Sequence, residues 1–368
     1  MPAPDLHATL AVYRVRSDAG AIEARAQAIA IEQSIEAPLE AVRDEAVRRD
    51  IVARVGAIRD LGGGSFEVEI RLSHLTFGAD AGQLLNMLYG NSSLQQDVEL
   101  LDFRLDPELL GGFPGRGQGI AGLRARAGAP NRALTCVAIK PQGLPSAGLA
   151  TLVERFALGG VDFIKDDHGI ADGAFDERVR ACAQAAQRAG DATGRLSHYV
   201  PNLSGNFVAM REQIARLREA GLGAAMVAPM IAGLSNAQAL GAENPDIAFF
   251  AHPTMGGAAR IAPPALMRLF RLVGADVGIF PNYGGRFGYC QETCRAVAAT
   301  LREPWPGGFS DAMPAPAGGM TTARVAEMLA FYGRDTMLLI GGALLVAPPE
   351  RLTAETAAFV RAVAEEGR

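Results

Sequence analysis

The chain of 368 residues has four cysteines, Cys136, Cys182, Cys290 and Cys294, and none forms a C-x-x-C pair. That argues against the common structural zinc frameworks and leaves reduced thiols of a cytosolic protein as the simpler reading. Basic excess is also missing. The net charge is -5 and no terminus is rich in lysine or arginine, so a nucleic-acid partner is not expected. No apolar run reaches the roughly 20 residues needed to span a bilayer. The nearest, GLGAAMVAPMIAGL from Gly221 to Leu234, is interrupted by Pro229 and reads as a buried strand with its loop. The first residues, MPAPDLHATLAVYRVRSD, lack the charged-then-apolar order of a signal peptide. The expectation is a cytoplasmic protein with no membrane partner. G-x-S-x-G is absent, so a serine nucleophile elbow is not supported. G-x-G-x-x-G occurs once, from Gly117 to Gly122, with no strand before it and no acidic residue about twenty positions on, so it reads as a decoy.

What is present is an ordinary globular composition, 49% hydrophobic and 20% charged, long enough for two domains. In the first third, HATLAVYRVR and QDVELLDFRL read as strands. AGAIEARAQAIAIEQS and DAGQLLNMLYGN have the spacing of helices. DIVARVGAIRDLGGGSFEVEIRLSHL reads as two strands joined at Gly62-Gly63-Gly64. This predicts an α+β domain of ferredoxin-like type, followed by a Gly-, Pro- and Arg-rich linker over 106–130, together spanning 1–131.

From 132 to 368 the rhythm changes. Short apolar runs alternate with helical stretches: LTCVAIKP, VDFIKDDHG, LSHYVPN, AAMVAPM, AFFAHPTMGG, VGIFPNYGG, FSDAMPAPAGG and MLLIGGALL. About eight such runs is the number a closed (β/α)8 TIM barrel needs. The predicted fold class is therefore α/β, a C-terminal TIM barrel preceded by the α+β domain. Active sites of such barrels lie at the carboxyl ends of the strands. Those ends are Lys140; Lys165, Asp167 and His168; His198 and Asn202; His252; Asn282; Gly318 and Gly319; Gly341 and Gly342. Glycine pairs after the seventh and eighth strands suit a phosphate held on backbone N–H groups, though they also suit plain turns.

The densest chemistry is in GGVDFIKDDHG, Gly159 to Gly169, where an apolar run delivers Lys165, Asp166, Asp167 and His168 in succession. Unpaired charges are costly to bury, so these groups either fan into solvent or converge on a metal and a substrate. A neutral lysine can take up CO2 as a carbamate, and with a neighbouring aspartate it can hold Mg2+, which prefers oxygen ligands. Such a site stabilises an enediolate next to a substrate carbonyl. Lys140, one strand earlier, is placed to move the proton.

This segment resembles the signature of the RuBisCO large-chain family, GG-x-D-F-x-K-D-D-E. In order along the chain, AIEQS with Glu32, LYGNSS with Asn91, TCVAIKP with Lys140, FFAHP with His252, and APAGGM and LIGGALL with Gly319, Gly341 and Gly342 are similar to its other active-site segments. The resemblance runs from about residue 8 to the C-terminus. It implies a catalytic set of Lys140, Lys165, His252, Glu32 and Asn91, and a phosphate site of Gly319, Gly341, Gly342 and Arg286. It also implies Mg2+ held by carbamylated Lys165 and Asp167, CO2 for the carbamylation, and a homodimer in which Glu32 and Asn91 reach the partner's barrel. His168 stands where the family has its third ligand, a glutamate. Imidazole suits softer metals, so His168 is a ligand, a neighbour of the ligands or a solvent-facing group. The lid-loop lysine of the family corresponds to Arg286, and the lysine after its KP to Gln142.

Two further departures bear on substrate. Pro253 and Phe280 fall where relatives carry an arginine and a histidine for a second phosphate, and neither supplies a cationic donor. The resemblance therefore implies a monophosphate substrate and a RuBisCO-like protein of form IV, not a CO2-fixing enzyme. KDDHG and HPTMGG look most similar to the non-photosynthetic branch linked to apiose breakdown. That implies a lyase acting on a sugar-acid monophosphate, 3-oxo-isoapionate 4-phosphate, as a decarboxylase. The alternatives are a transcarboxylase/hydrolase of the same compound, an enolase or isomerase of methylthio-sugar phosphates, and a non-catalytic sugar-phosphate binder.

Overall fold

In TLAVYRVR, Ala11, Tyr13 and Val15 point to one face and are buried in the core, which suits a strand packed against a layer of helices. This is β1 (Thr9–Arg16), one of the two inner strands of an antiparallel sheet with β2 (Arg54–Gly62), β3 (Ser65–Leu72) and β4 (Val98–Arg104), in the order β2-β3-β1-β4. The computed structural model describes residues 7–366 except 116, 171, 306 and 307. The hairpin between β2 and β3 turns on Gly62, Gly63 and Gly64, all at positive φ, a conformation that costs glycine nothing. Helices Ile22–Glu32 and Ala81–Tyr89 bury Ile22, Ala26, Ile29, Leu84 and Leu88 in the same core as the sheet. Asp80 caps the second of them, accepting from the Gln83 amide at 2.7 Å. The element order and strand order are those of a ferredoxin-like α+β unit.

The eight apolar runs of the remainder form eight parallel strands: β5 (Leu134–Ala138), β6 (Phe163–Lys165), β7 (His198–Val200), β8 (Ala224–Val227), β9 (Ala248–Ala251), β10 (Val277–Pro281), β11 (Met313–Ala317) and β12 (Met337–Ile340). They are hydrogen-bonded in the order β7-β6-β5-β12-β11-β10-β9-β8. The ring is drawn together between β7 and β8 by an isolated bridge from Asn202 to Met226, with the Leu203 amide donating to Met226 O at 2.8 Å. The barrel interior is filled by Leu134, Cys136, Phe163, Met226, Phe250 and Met313, among others.

The stretch expected as a linker does more than connect. Helix Gly119–Arg126 buries Ile120 and Leu123 against the interior side chains. The Gly119 amide donates to Asp276 and the Ile120 amide to Asp311, just before β10 and β11, so the helix plugs the amino end of the barrel. The two units meet along β4, where the Leu100 amide donates to Arg260 O and the Ala262 amide to Leu100 O. No helix of the described residues is long and apolar enough to cross a membrane.

Candidate active site

With the amino end plugged, the open face is the carboxyl end of the strands, and side chains there alternate between the mouth and the outer layer. β6 ends on Lys165, only 3% exposed, whose Nζ donates to Asp166 O at 2.7 Å. Burial drives the Lys165 pKa down by disfavouring the ammonium form. Asp166 points the other way. Its carboxylate accepts from the Tyr199 hydroxyl at 2.6 Å, the Asn202 amide at 3.0 Å and Arg178 Nε at 3.2 Å. That fully buried network anchors the turn, so Lys165 and Asp167 both face the mouth.

Asp167 accepts from Lys140 Nζ at 2.7 Å on Oδ2 and from the His168 amide at 3.0 Å on Oδ1. Burial alone would raise its pKa; the hydrogen bond and charge of Lys140 and the charge of Lys165 outweigh that and hold it down at about 2. His168 Nδ1 lies 3.1 Å from Asp167 Oδ1. Its ring stacks on His252, with centroids 4.2 Å apart and planes within 15°. Burial first, then the charges of Lys165 and His168, push the His252 pKa down to about 2.

One cavity of about 820 Å3 is lined by Lys140, Lys165, Asp167, His168 and His252, and by Gly319, Gly341, Gly342 and Arg286. The structure thus brings these nine of the expected barrel residues around one cavity. Gly319 has φ +68°, and a Cβ there would come 2.9 Å from Gly285 Cα. The loop bearing Arg286 therefore rests backbone to backbone on the glycine loop after β11. Arg286 itself stacks over Phe287 at 4.7 Å, and both are exposed. In the sector of β9 and β10 the wall is instead apolar: Pro253, Met255, Leu266, Ile279 and Phe280.

Three placements differ from the sequence-based expectation. His198 is the first residue of β7, not the last; its Nε2 lies 2.8 Å from Arg126 O, at the plugged end. Asn202 braces the turn instead of lining the cavity, with its amide on Asp166 and its Nδ2 on His168 O at 3.2 Å. Asn282 is buried behind the barrel, accepting from the Tyr332 hydroxyl at 2.7 Å. Glu32 and Asn91 lie outside the cavity, and Asn91 Nδ2 donates to Glu32 Oε1 at 2.9 Å on the surface of the N-terminal unit. A signal that sequence reading passed over is the scarcity of lysine. Of 35 basic residues only Lys140 and Lys165 are lysines, and both line this cavity. Everywhere else the chain uses arginine, which cannot lose its proton.

The catalytic-domain family of the ribulose bisphosphate carboxylase large chain matches residues 119–359. The chain belongs to that family. Within it, several of the similar proteins are RuBisCO-like proteins. A Rubisco-like protein from Rhodopseudomonas palustris has a solved structure with TM-score 0.91 and 48% identity, covering 98% of both chains. A 5-methylthioribulose-1-phosphate isomerase from Rhodospirillum rubrum is 54% identical over 359 residues, 96% of each chain. A 2,3-diketo-5-methylthiopentyl-1-phosphate enolase from Geobacillus thermodenitrificans is 32% identical over 292 residues, 75% of this chain and 70% of the enolase. The chain is a RuBisCO-like protein.

Proposed function

We propose that the chain is an isomerase of a methylthio-sugar monophosphate, moving a carbonyl along the sugar through an enediolate. The observation that carries this reading is the two-sided cavity. Gly319, Gly341 and Gly342 lie after β11 and β12, with Arg286 on the loop after β10 that rests on Gly319, while the wall at β9–β10 carries the apolar Pro253, Leu266 and Phe280. A monophosphate ester with a thioether tail suits that division, because an apolar wall that leaves no polar group unpaired matches a CH3–S group. The 54% identity to the Rhodospirillum rubrum isomerase supports it. The polar Asn282, at the carboxyl end of β10, is turned away from the cavity and leaves this wall apolar.

Lys140 Nζ, beside Asp167, is the group that takes the proton from the carbon next to the carbonyl and returns it to the neighbouring carbon. The residues also fit Mg2+. Lys165 is buried with its pKa lowered, so its neutral amine can add CO2, releasing a proton and leaving a carbamate. Carbamate and Asp167 are then two anionic oxygen groups of the kind Mg2+ selects. When bound, the ion supplies positive charge that polarises the substrate carbonyl. His168, turned to Asp167 and stacked on His252, stands beside these ligands and is no third one. Glu32 and Asn91 complete the site only across a homodimer, each from the partner of the barrel it serves.

The test incubates the protein, with Mg2+ and bicarbonate, separately with 5-methylthioribulose 1-phosphate and with 3-oxo-isoapionate 4-phosphate. NMR follows the first and CO2 release the second. Isomerisation of the first with no CO2 from the second is expected. Inert methylthio sugar together with CO2 release would return the decarboxylase reading, and loss of neither substrate would leave a binder.

A further inference from the structure

His252 leaves β9 in the segment His252-Pro253-Thr254, and the turn brings Thr254 back onto the ring. The Thr254 amide donates to His252 Nδ1 at 3.2 Å, and the Thr254 hydroxyl lies 2.5 Å from the same nitrogen. An amide N–H can only donate, so the nitrogen it meets must present a lone pair. With the lone pair on Nδ1, the ring proton of neutral His252 sits on Nε2, and the hydroxyl donates as well. Pro253 makes the turn possible by fixing φ and removing an amide that would compete for the ring. Nε2 has no hydrogen-bond partner among the described residues, and the ring lines the cavity next to Lys165 and Asp167.

We propose that Thr254 is a positioning residue that locks His252 as the Nε2–H tautomer, so that His252 donates a hydrogen bond to an oxygen of the enediolate and does not act as the base. This rests on the enediolate chemistry of the preceding section. It makes a division of labour: Lys140 moves the proton, and His252 holds the charge that results. It also gives a reason for the HPT sequence beyond the loss of a cation at Pro253. The residue after the histidine now shapes a turn whose third residue dictates which imidazole nitrogen faces the substrate.

The test uses the full chain labelled with 15N-histidine. With only five histidines, two-bond 1H–15N correlation spectra resolve each ring, and His252→Gln assigns the signal by its loss. In the wild type His252 should show a protonated Nε2 and an unprotonated Nδ1 at neutral pH. In Thr254→Val, which keeps only the 3.2 Å amide bond, the Nδ1 resonance should move part of the way toward a mixture of tautomers. kcat should fall about tenfold, as expected for one lost hydrogen bond near the reacting oxygen, with KM little changed. Thr254→Ser should restore both the spectrum and kcat. A wild-type His252 protonated on Nδ1 would overturn the proposal, as would full kcat in Thr254→Val or a folded Thr254→Ser that rescues neither property. The spectra need no substrate, so failure of the isomerase reading would leave the tautomer assignment standing, while a wrong tautomer in an active isomerase would reject Thr254 alone.

Discussion

Gly319→Ala isolates the phosphate side of the cavity from the rest of the fold. Gly319 sits at φ +68°, where an alanine loses about 1–2 kcal/mol to its own backbone. Its new Cβ would also stand 2.9 Å from Gly285 Cα and 3.4 Å from Gly284 O, both backbone atoms that cannot rotate away. The cheapest relief is for the exposed loop with Arg286 to lift off the glycine loop by several tenths of an ångström or more. That relief separates Arg286 from the N–H groups it should help in gripping a phosphate. A total loss of about 2–3 kcal/mol in phosphate binding corresponds to a rise in KM of about 30-fold to 150-fold. Because the displaced loop is exposed, the melting temperature should fall by only a few degrees. The control is Gly62→Ala in the β2–β3 hairpin. It has φ +86° and nothing within 4 Å of the added Cβ, so it should lose stability of about 1–2 kcal/mol and no activity per folded molecule. Steady-state kinetics and titration calorimetry with the sugar phosphate read both variants. A Gly319→Ala protein with wild-type KM would refute the placement of the phosphate.

Three other outcomes follow from named contacts. Lys140→Arg and Lys165→Arg should each lower kcat by about 10²-fold or more, because arginine keeps its charge and can neither relay a proton nor take up CO2; kinetics beside unchanged melting curves would check this. Asp162, fully buried at the start of β6, accepts from Arg132, Arg195 and the Thr135 amide and hydroxyl. Asp162→Ala should cost about 3–5 kcal/mol in urea unfolding without touching kcat. Burial works against ionised Asp162, but the two arginines prevail and lower its pKa below the ordinary 3.8. Its contribution is therefore present above pH 3.8 and lost as pH falls through the lower folded value, so the stability gap to Asp162→Asn should close in acid. If Glu32 serves the partner's barrel, mixing inactive Glu32→Gln and Lys165→Arg proteins, with subunit exchange, should restore activity; persistent inactivity would show that Glu32 acts elsewhere.

The strands and the polar groups at their ends were legible because each barrel strand is a short apolar run that stops at the first functional or glycine residue. Lys165, His252 and Gly319 fall just where that rule puts them. It failed at LSHYVPN, whose strand is only three residues long and begins at His198, so the histidine belongs to the opposite end of the barrel. It failed for Asn282 because position along a strand does not say which way the next side chain turns; a tyrosine 50 residues later holds it outside. Helix Gly119–Arg126 is illegible in the sequence because its two buried large side chains, Ile120 and Leu123, sit among glycines and arginines and give no helical stripe. The contact of Thr254 with His252 carries no periodicity at all. It depends on the turn at Pro253, which brings the hydroxyl onto the ring nitrogen only in the folded chain.

The most direct measurement follows the α-protons of 5-methylthioribulose 1-phosphate in D2O with the wild type and with Lys140→Met, using Mg2+ and bicarbonate. The account predicts that the wild type forms an isomeric ketose phosphate carrying deuterium beside its carbonyl, and that Lys140→Met does neither. A substrate recovered unchanged and free of deuterium after exposure to the wild-type protein would contradict the claim that this cavity makes an enediolate from a methylthio sugar.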